Sequence, residues 1–252
     1  MAAIYPDLQN KVVLVTGGGS GIGEAMVREF ARQKARVAFI DIAVGASMKL
    51  VKELTEAGTA VHFEPCDLTD IAALQRTLGV IKSHFGAVQV LVNNAANDER
   101  HPTESVTEAI WDSRIAVNLK HQFFCAQGVL PDMQRAGAGA IVNLGSVSWM
   151  IGQGSMAAYT SSKSAVIGLT RSLARDYGQF GIRVNAVAPG WIMTQRQLDK
   201  WLTPEGEAKL MERQCLKRRL APVEVAKFVV FLASDEASAC TNQHYVVDGG
   251  WV

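Results

Sequence analysis

Hydrophobic positions along the chain fall into two kinds of run that alternate from end to end. Short, nearly continuous apolar runs occur at KVVLVT (11–16), RVAFID (36–41), AVHFEP (60–65), VQVLVN (88–93), AIVNLG (140–145), IRVNAV (182–187) and QHYVVD (243–248). They lack the polar alternation of a strand with one wet face, so each reads as a strand covered on both sides. Longer stretches lie between them, at about 21–33, 46–57, 70–84, 108–136, 156–178 and 222–233, with the periodicity of amphipathic helices. Strand and helix in turn predict an α/β fold: a doubly wound parallel sheet of about seven strands with helices on both faces, in one domain over 1–252. In such a sheet ligands lie beyond the carboxyl ends of the strands, so functional residues are expected just after each apolar run.

One segment breaks the rhythm. Residues 191–220 form a polar insertion carrying two of the five tryptophans and a Thr-Pro-Glu helix start at 203–205. A long excursion at a strand's carboxyl end reads either as a lid over the ligand or as an ordinary pair of surface helices. Trp191 directly follows the Pro189-Gly190 turn, which favours the lid.

Composition adds mainly exclusions. Hydrophobic residues make up 48% of the chain, enough for a substantial core, and the formal net charge is +1. That balance gives no reason to expect nucleic acid or a membrane surface as partner. The start, MAAIYPDLQNK, has neither a basic nor an apolar leader region, and no apolar run approaches the roughly 20 residues that span a bilayer. Cys66, Cys125, Cys215 and Cys240 are too scattered for a CxxC pair, so buried, reduced thiols and no metal site are expected. The picture is a soluble cytoplasmic protein.

Candidate chemistry starts after the first strand, at Thr16-Gly17-Gly18-Gly19-Ser20-Gly21-Ile22-Gly23, which opens a helix. Glycines there allow a tight turn and close backbone approach to a pyrophosphate, and the helix N-terminus offers free N–H groups. The second strand ends in Asp41, 18 residues after Gly23. A carboxylate at that place accepts hydrogen bonds from an adenosine ribose and repels a 2′-phosphate. With no Arg or Lys in the glycine turn or just after Asp41, NAD is expected, and NADP is disfavoured though possible.

Tyr159 and Lys163 stand four residues apart in a helical pattern and so share a face, while Ser146 lies 13 positions before Tyr159, just past a strand. Singly, each is ordinary: an amphipathic-core tyrosine, a solvated lysine, a turn serine. Together, after a phosphate cradle, they suit alcohol oxidation. A free tyrosine, with a pKa near 10, is a poor base at neutral pH. A neighbouring ammonium and a positively charged nicotinamide are expected to lower that pKa. Lys163 supplies the ammonium and reaches the nicotinamide ribose, and Ser146 bonds the substrate oxygen. Asn118 either orders a water linking Lys163 to solvent or is a helix cap or kink residue.

TGGGSGIG (16–23), CDLTD (66–70), NNAA (93–96), Asn118, Ser146, YTSSK (159–163), VAPG (187–190) and VDGG (247–250) resemble the short-chain dehydrogenase/reductase family over essentially the whole length. The resemblance implies a single Rossmann-like domain. It also implies that Asp67 and Leu68 flank the adenine and that Asn94, Ala95 and Ala96 contact the cofactor. Pro189, Gly190, Ile192 and Thr194 would cover the nicotinamide. With Gly17, Ser20, Gly21, Ile22, Gly23, Asp41, Ile42, Tyr159 and Lys163 these make up the expected cofactor site. Ala96 stands where the family usually has glycine. A homotetramer built partly through the Tyr159 helix and the last strand is also implied. The small residues Ala165, Gly168 and Ala174 on that helix suit either close packing against a partner or a buried internal face.

A narrower resemblance, to bacterial aldose 1-dehydrogenases, rests on AIYPDL, NDERH (97–101), WDSRIAVNLKHQFFC (111–125), GSVSW (145–149), WLTPEGEA (201–208), QCLKRR (214–219) and YVVDGGWV. It implies NAD-dependent oxidation of a sugar's C1 hydroxyl to the aldonolactone, the sugar being a pentose or related hexose such as L-arabinose, D-xylose, D-galactose or L-fucose. Asn97, Asp98, Arg100, Ser148 and Gln153 fall on loops after strands, and Trp149 and Trp191 offer faces for a sugar ring. The expected substrate contacts are Asn97, Ser146, Ser148, Trp149, Tyr159 and Trp191. Each of the loop residues reads equally as plain loop structure. Two rivals remain: a secondary-alcohol or 3-oxoacyl dehydrogenase on the same scaffold, and a non-catalytic dinucleotide sensor.

Overall fold

The computed structural model describes residues 3–252. Met1 and Ala2, the first residues of the start read as leaderless, lie outside the described residues. All seven strands form one parallel sheet: β1 (Val12–Thr16), β2 (Arg36–Asp41), β3 (Val61–Pro65), β4 (Val90–Asn93), β5 (Gly139–Leu144), β6 (Ile182–Pro189) and β7 (His244–Val247). Their order is β3-β2-β1-β4-β5-β6-β7. β1 therefore pairs with β2 on one side and β4 on the other, and the winding reverses between them. The crevice at that switch point is where a doubly wound sheet binds its ligand.

Alternate strand residues feed two separate cores. Val13, Val15, Val37 and Phe39 point to one face and pack on Met26, Val27 and Phe30 of α1 (Gly21–Arg32), Leu50 and Leu54 of α2 (Val44–Glu56) and Val225 to Ala233 of α9 (Pro222–Ala233). Val12, Leu14, Ala38 and Ile40 point to the other. They meet Leu74 and Ile81 of α3 (Ile71–Phe85), Cys125 to Met133 of α5 (His121–Ala136) and Leu173 of α6 (Ala157–Tyr177). Each fully buried aliphatic or aromatic side chain contributes about 1.5–3 kcal/mol. β3 and β7, the two edge strands, are the exceptions to two-sided burial, and their side chains are half-buried or exposed.

The helical stretch expected at 108–136 is interrupted. α4 (Glu108–Ile115) and α5 flank a π turn at Ala116–Lys120, where one extra residue per turn swings Asn118 inward. The cysteines correct another expectation. All four are free, but only Cys66 and Cys125 are buried, Cys240 is partly exposed and Cys215 lies on the surface. The small residues of α6 also divide. Ala174 belongs to the internal core while Ala165 and Gly168 face outward, as nine residues amount to half a turn out of phase.

The 191–220 insertion is a closed excursion. Ile192 and Leu220 pair at its base, and between them run α7 (Gln195–Lys200) and α8 (Pro204–Arg213). Thr203 caps α8 through Gly206 N–H, with Pro204 opening the helix, as the Thr-Pro-Glu start predicts. Among the described residues no helix is long and apolar enough to cross a membrane.

Candidate active site

The glycine turn lies at the switch point. Gly17 (φ +66°) and Gly21 (φ +59°) adopt the left-handed conformation that glycine tolerates. A methyl on Gly23 would stand 1.8 Å from the Gly17 carbonyl oxygen, and one on Gly17 would stand 2.8 Å from Ala95 Cα. The turn is thus pressed onto α1 and the β4 end with no room for a side chain. Ser20 precedes α1 in extended conformation and makes no side-chain cap, so the first-turn N–H groups of a 12-residue helix are left for an anion. Asp41 accepts from Gly19 N–H at 2.8 Å and Ala43 N–H at 2.8 Å. Each carboxylate oxygen keeps a lone pair for a ribose hydroxyl. Ile42 beside it is 75% exposed, an apolar surface of the kind an adenine ring covers. These features fit a dinucleotide.

Thr16 joins the two strands of the crevice. Its Oγ1 accepts from Asn94 N–H (2.9 Å) and Ala95 N–H (3.1 Å), and Asn94 Nδ2 donates to the Thr16 and Gly17 carbonyls at 3.0 Å each. The segment after β6 reaches the same place, for the Thr194 methyl would lie 3.2 Å from a side chain on Gly21. Expected cofactor residues from four separate loops therefore converge.

Ser146, Tyr159 and Lys163 meet beyond β5. The Ser146 hydroxyl is in hydrogen-bonding range of the Tyr159 phenol and accepts from Ser148 N–H at 3.1 Å. Lys163 is 1% exposed; its Nζ donates to the Leu144 carbonyl at 2.8 Å and stands 5.8 Å from the Tyr159 ring centre. The electrostatics correct one expectation. Burial pushes the Tyr159 phenol up to about 12, with the Asp98 anion adding to the rise against the Ser146 bond, and pushes the Lys163 amine down to about 7. The protein alone therefore favours the phenol over the tyrosinate, because desolvation and the Asp98 anion outweigh the Ser146 bond.

A family model described as enoyl-(acyl carrier protein) reductase matches residues 17–252. The D-xylose 1-dehydrogenase of Caulobacter vibrioides is 48% identical over 99% of both chains. The chain belongs to the short-chain dehydrogenase/reductase family. A Rhizobium meliloti protein described as "Probable galactose dehydrogenase" is also 48% identical, over 98% of this chain and 96% of its own. Among solved structures, a gluconate 5-dehydrogenase from Burkholderia cenocepacia in complex with NADP and tartrate superposes with a TM-score of 0.91 at 28% identity, covering 97% of this chain and 96% of its own.

As a short-chain dehydrogenase/reductase this is an NAD(P)-binding oxidoreductase acting on CH–OH groups, and its remaining site residues can be placed one by one. Asn118 is buried, and its side chain clasps the backbone of Asn97: Oδ1 accepts from Asn97 N–H at 2.8 Å and Nδ2 donates to Asn97 O at 3.1 Å. Asn118 thus sits on the π turn and ties it to the loop after β4. Asn97 Oδ1 accepts from Glu99 N–H (3.0 Å), which shapes the loop. Asp67 is exposed and bonded to Thr69, Leu68 is buried beside it, and Ala96 is exposed at the crevice. Gly190 is pressed on Asp248, where a methyl would stand 2.7 Å from Cα. Ser148 is buried, and its Oγ has no hydrogen-bond partner among the described residues.

Trp149 departs from its expected role. Its ring lies 6.3 Å from His244 of β7, and it lines a groove with Thr160, Ser161 and Ser164, on the side of α6 turned away from Tyr159 and Lys163. The single helical turn Val147–Trp149 that follows Ser146 rotates it outward while Ser148 stays in. Gln153 borders the same groove. Trp191 stays with the insertion and donates from Nε1 to Gln197 Oε1 at 2.9 Å.

Two further residues lie near the site: Asp98, read from the sequence only as a polar loop residue, and His121, which the sequence did not single out. Asp98 faces α7 and has its charge felt at both Tyr159 and Lys163. His121 is fully buried, with Nε2 3.4 Å from Thr16 Oγ1, and is pushed down to about 3 by burial and by Lys163. It is neutral at any working pH. Both lie in the quoted segments, but only the fold brings them to the dyad.

Proposed function

We propose that this dehydrogenase oxidises the C1 hydroxyl of an aldose to the aldonolactone, with NAD as acceptor. Two relatives named for sugar oxidation, at 48% identity over almost their full lengths, carry the reading. When bound, the nicotinamide supplies the hydride acceptor and a positive charge that favours tyrosinate. Tyr159 takes the hydroxyl proton, Ser146 holds the substrate oxygen by hydrogen bond, and Lys163 anchors the dyad to β5 through Leu144 O. The placement of the Asp41 carboxylate supports NAD over NADP, since a 2′-phosphate there would meet an anion.

The test is reduced-cofactor formation with a panel of aldoses, polyols, simple secondary alcohols and hydroxyacyl thioesters, each with NAD and NADP. Turnover concentrated on aldoses with NAD supports the reading. Turnover only on thioesters or secondary alcohols overturns it, and tight NAD binding with no turnover on any substrate favours the sensor. We also propose a homotetramer using the outward Ala165 and Gly168 positions of α6; light scattering that shows a monomer refutes it.

A further inference from the structure

The loop after β4 and the helix α7 are tied together by a compact set of side-chain bonds. Arg196 Nε donates to Asp98 Oδ1 at 2.9 Å, and Gln197 Nε2 donates to Asp98 Oδ2. Both carboxylate oxygens therefore bind the insertion. Arg196 Nη2 also donates to Glu99 at 2.8 Å, and the Arg100 guanidinium lies 4.5 Å over the Trp201 ring. The amide of Gln197 is used at both ends, since its Oε1 receives the Trp191 indole N–H at 2.9 Å. An unbroken chain thus runs from Asp98 through Gln197 to Trp191, while Asn118 clasps Asn97, the residue next to Asp98.

We propose that Asp98 is a positioning residue that fastens α7 over the substrate side of the site and, through Gln197, sets the orientation of the Trp191 indole. A neutral amide held between a carboxylate and an indole cannot flip without losing both bonds, so Gln197 has one orientation. Arg196 adds the ion pair that closes the latch. Its exposed position makes it the weaker member, as surface pairs contribute little. The effect belongs to substrate retention rather than to hydride transfer. The inference rests on the dehydrogenase reading and not on the substrate being a sugar.

The test compares Gln197→Met, which removes both bonds without changing charge, and Asp98→Asn with Glu207→Gln. The last breaks the Arg219–Glu207 pair inside the insertion and leaves the latch intact. Gln197→Met is expected to raise KM for the oxidised alcohol about tenfold, the effect of one hydrogen bond to a charged group. kcat and NADH affinity should stay within about threefold. Trypsin should cut the NADH complex after Arg196 and Lys200 faster in Gln197→Met and Asp98→Asn than in Glu207→Gln. The tryptic readout needs no substrate, so it stands even if the panel of alcohols shows no turnover. Unchanged KM and unchanged cleavage in Gln197→Met overturn the proposal. So does a fall in kcat with KM unmoved, or an equal effect of Glu207→Gln.

Discussion

The buried amine of Lys163 is held at a cost to the stability of the fold. It is 1% exposed, in the middle of α6, with one of its three donors bonded to Leu144 O. Burial pushes its pKa from 10.5 to about 7. At about 1.4 kcal/mol per pH unit, keeping it protonated below pH 7 costs the folded chain roughly 5 kcal/mol. Lys163→Met removes that cost and keeps the aliphatic stem, but leaves the Leu144 carbonyl without its partner, worth about 1–3 kcal/mol. The net gain is about 2–4 kcal/mol, or roughly 4–16 °C in Tm for a chain of this size. The sign with pH follows from linkage. Below pH 7 the lysine is protonated in both states and the penalty is full. As pH rises from 7 toward 10.5 the folded chain sheds the proton while the unfolded chain keeps it, so wild-type stability recovers and the advantage of methionine shrinks. The assay is thermal unfolding of the cofactor-free proteins at pH 6 and pH 9, with activity measured in parallel. Lys163→Met is expected to be inactive and more stable, by more at pH 6. A variant less stable than wild type at pH 6, or equally stabilised at both pH values, refutes the burial argument.

Tyr159→Phe should keep NADH affinity within about threefold by fluorescence titration yet lose about 10²–10⁴-fold in kcat, the usual worth of a positioned acid–base group. Because burial holds the phenol near 12, wild-type oxidation should also quicken as pH rises from neutral, a dependence the phenylalanine variant lacks. Asp41→Ala should weaken NAD about tenfold and narrow the gap to NADP in a side-by-side binding titration. Unchanged NAD affinity would remove Asp41 from the ribose site.

The sheet was legible because its signal is local: short apolar runs alternate with stretches of helical period, the pattern of a parallel sheet covered by helices. Even so, β3 shows how the pattern misses position, since VHFEP reads like the other runs but lies at the edge with half-buried side chains. That Ser146, Tyr159 and Lys163 come together was legible because they sit at fixed spacing on one strand end and one helix face. Trp149 was misread because one helical turn after Ser146 decides which of two adjacent residues faces the site, and no pattern of polarity encodes that turn. Asp98 and Arg196 lie 98 positions apart. Their pairing depends on how the insertion folds back, and neither residue is unusual for a loop. The depressed lysine was equally invisible, for its direction is set by how completely α6, β5 and the π turn exclude water.

Hydride transfer from C1 of a sugar is most directly tested with an aldose carrying deuterium at C1, incubated with enzyme and NAD, followed by mass spectrometry of the reduced cofactor. The account predicts one deuterium in each NADH formed by wild type and almost no reduced cofactor from Tyr159→Phe. Reduced cofactor without the label, or none with any aldose while another alcohol is oxidised, contradicts it.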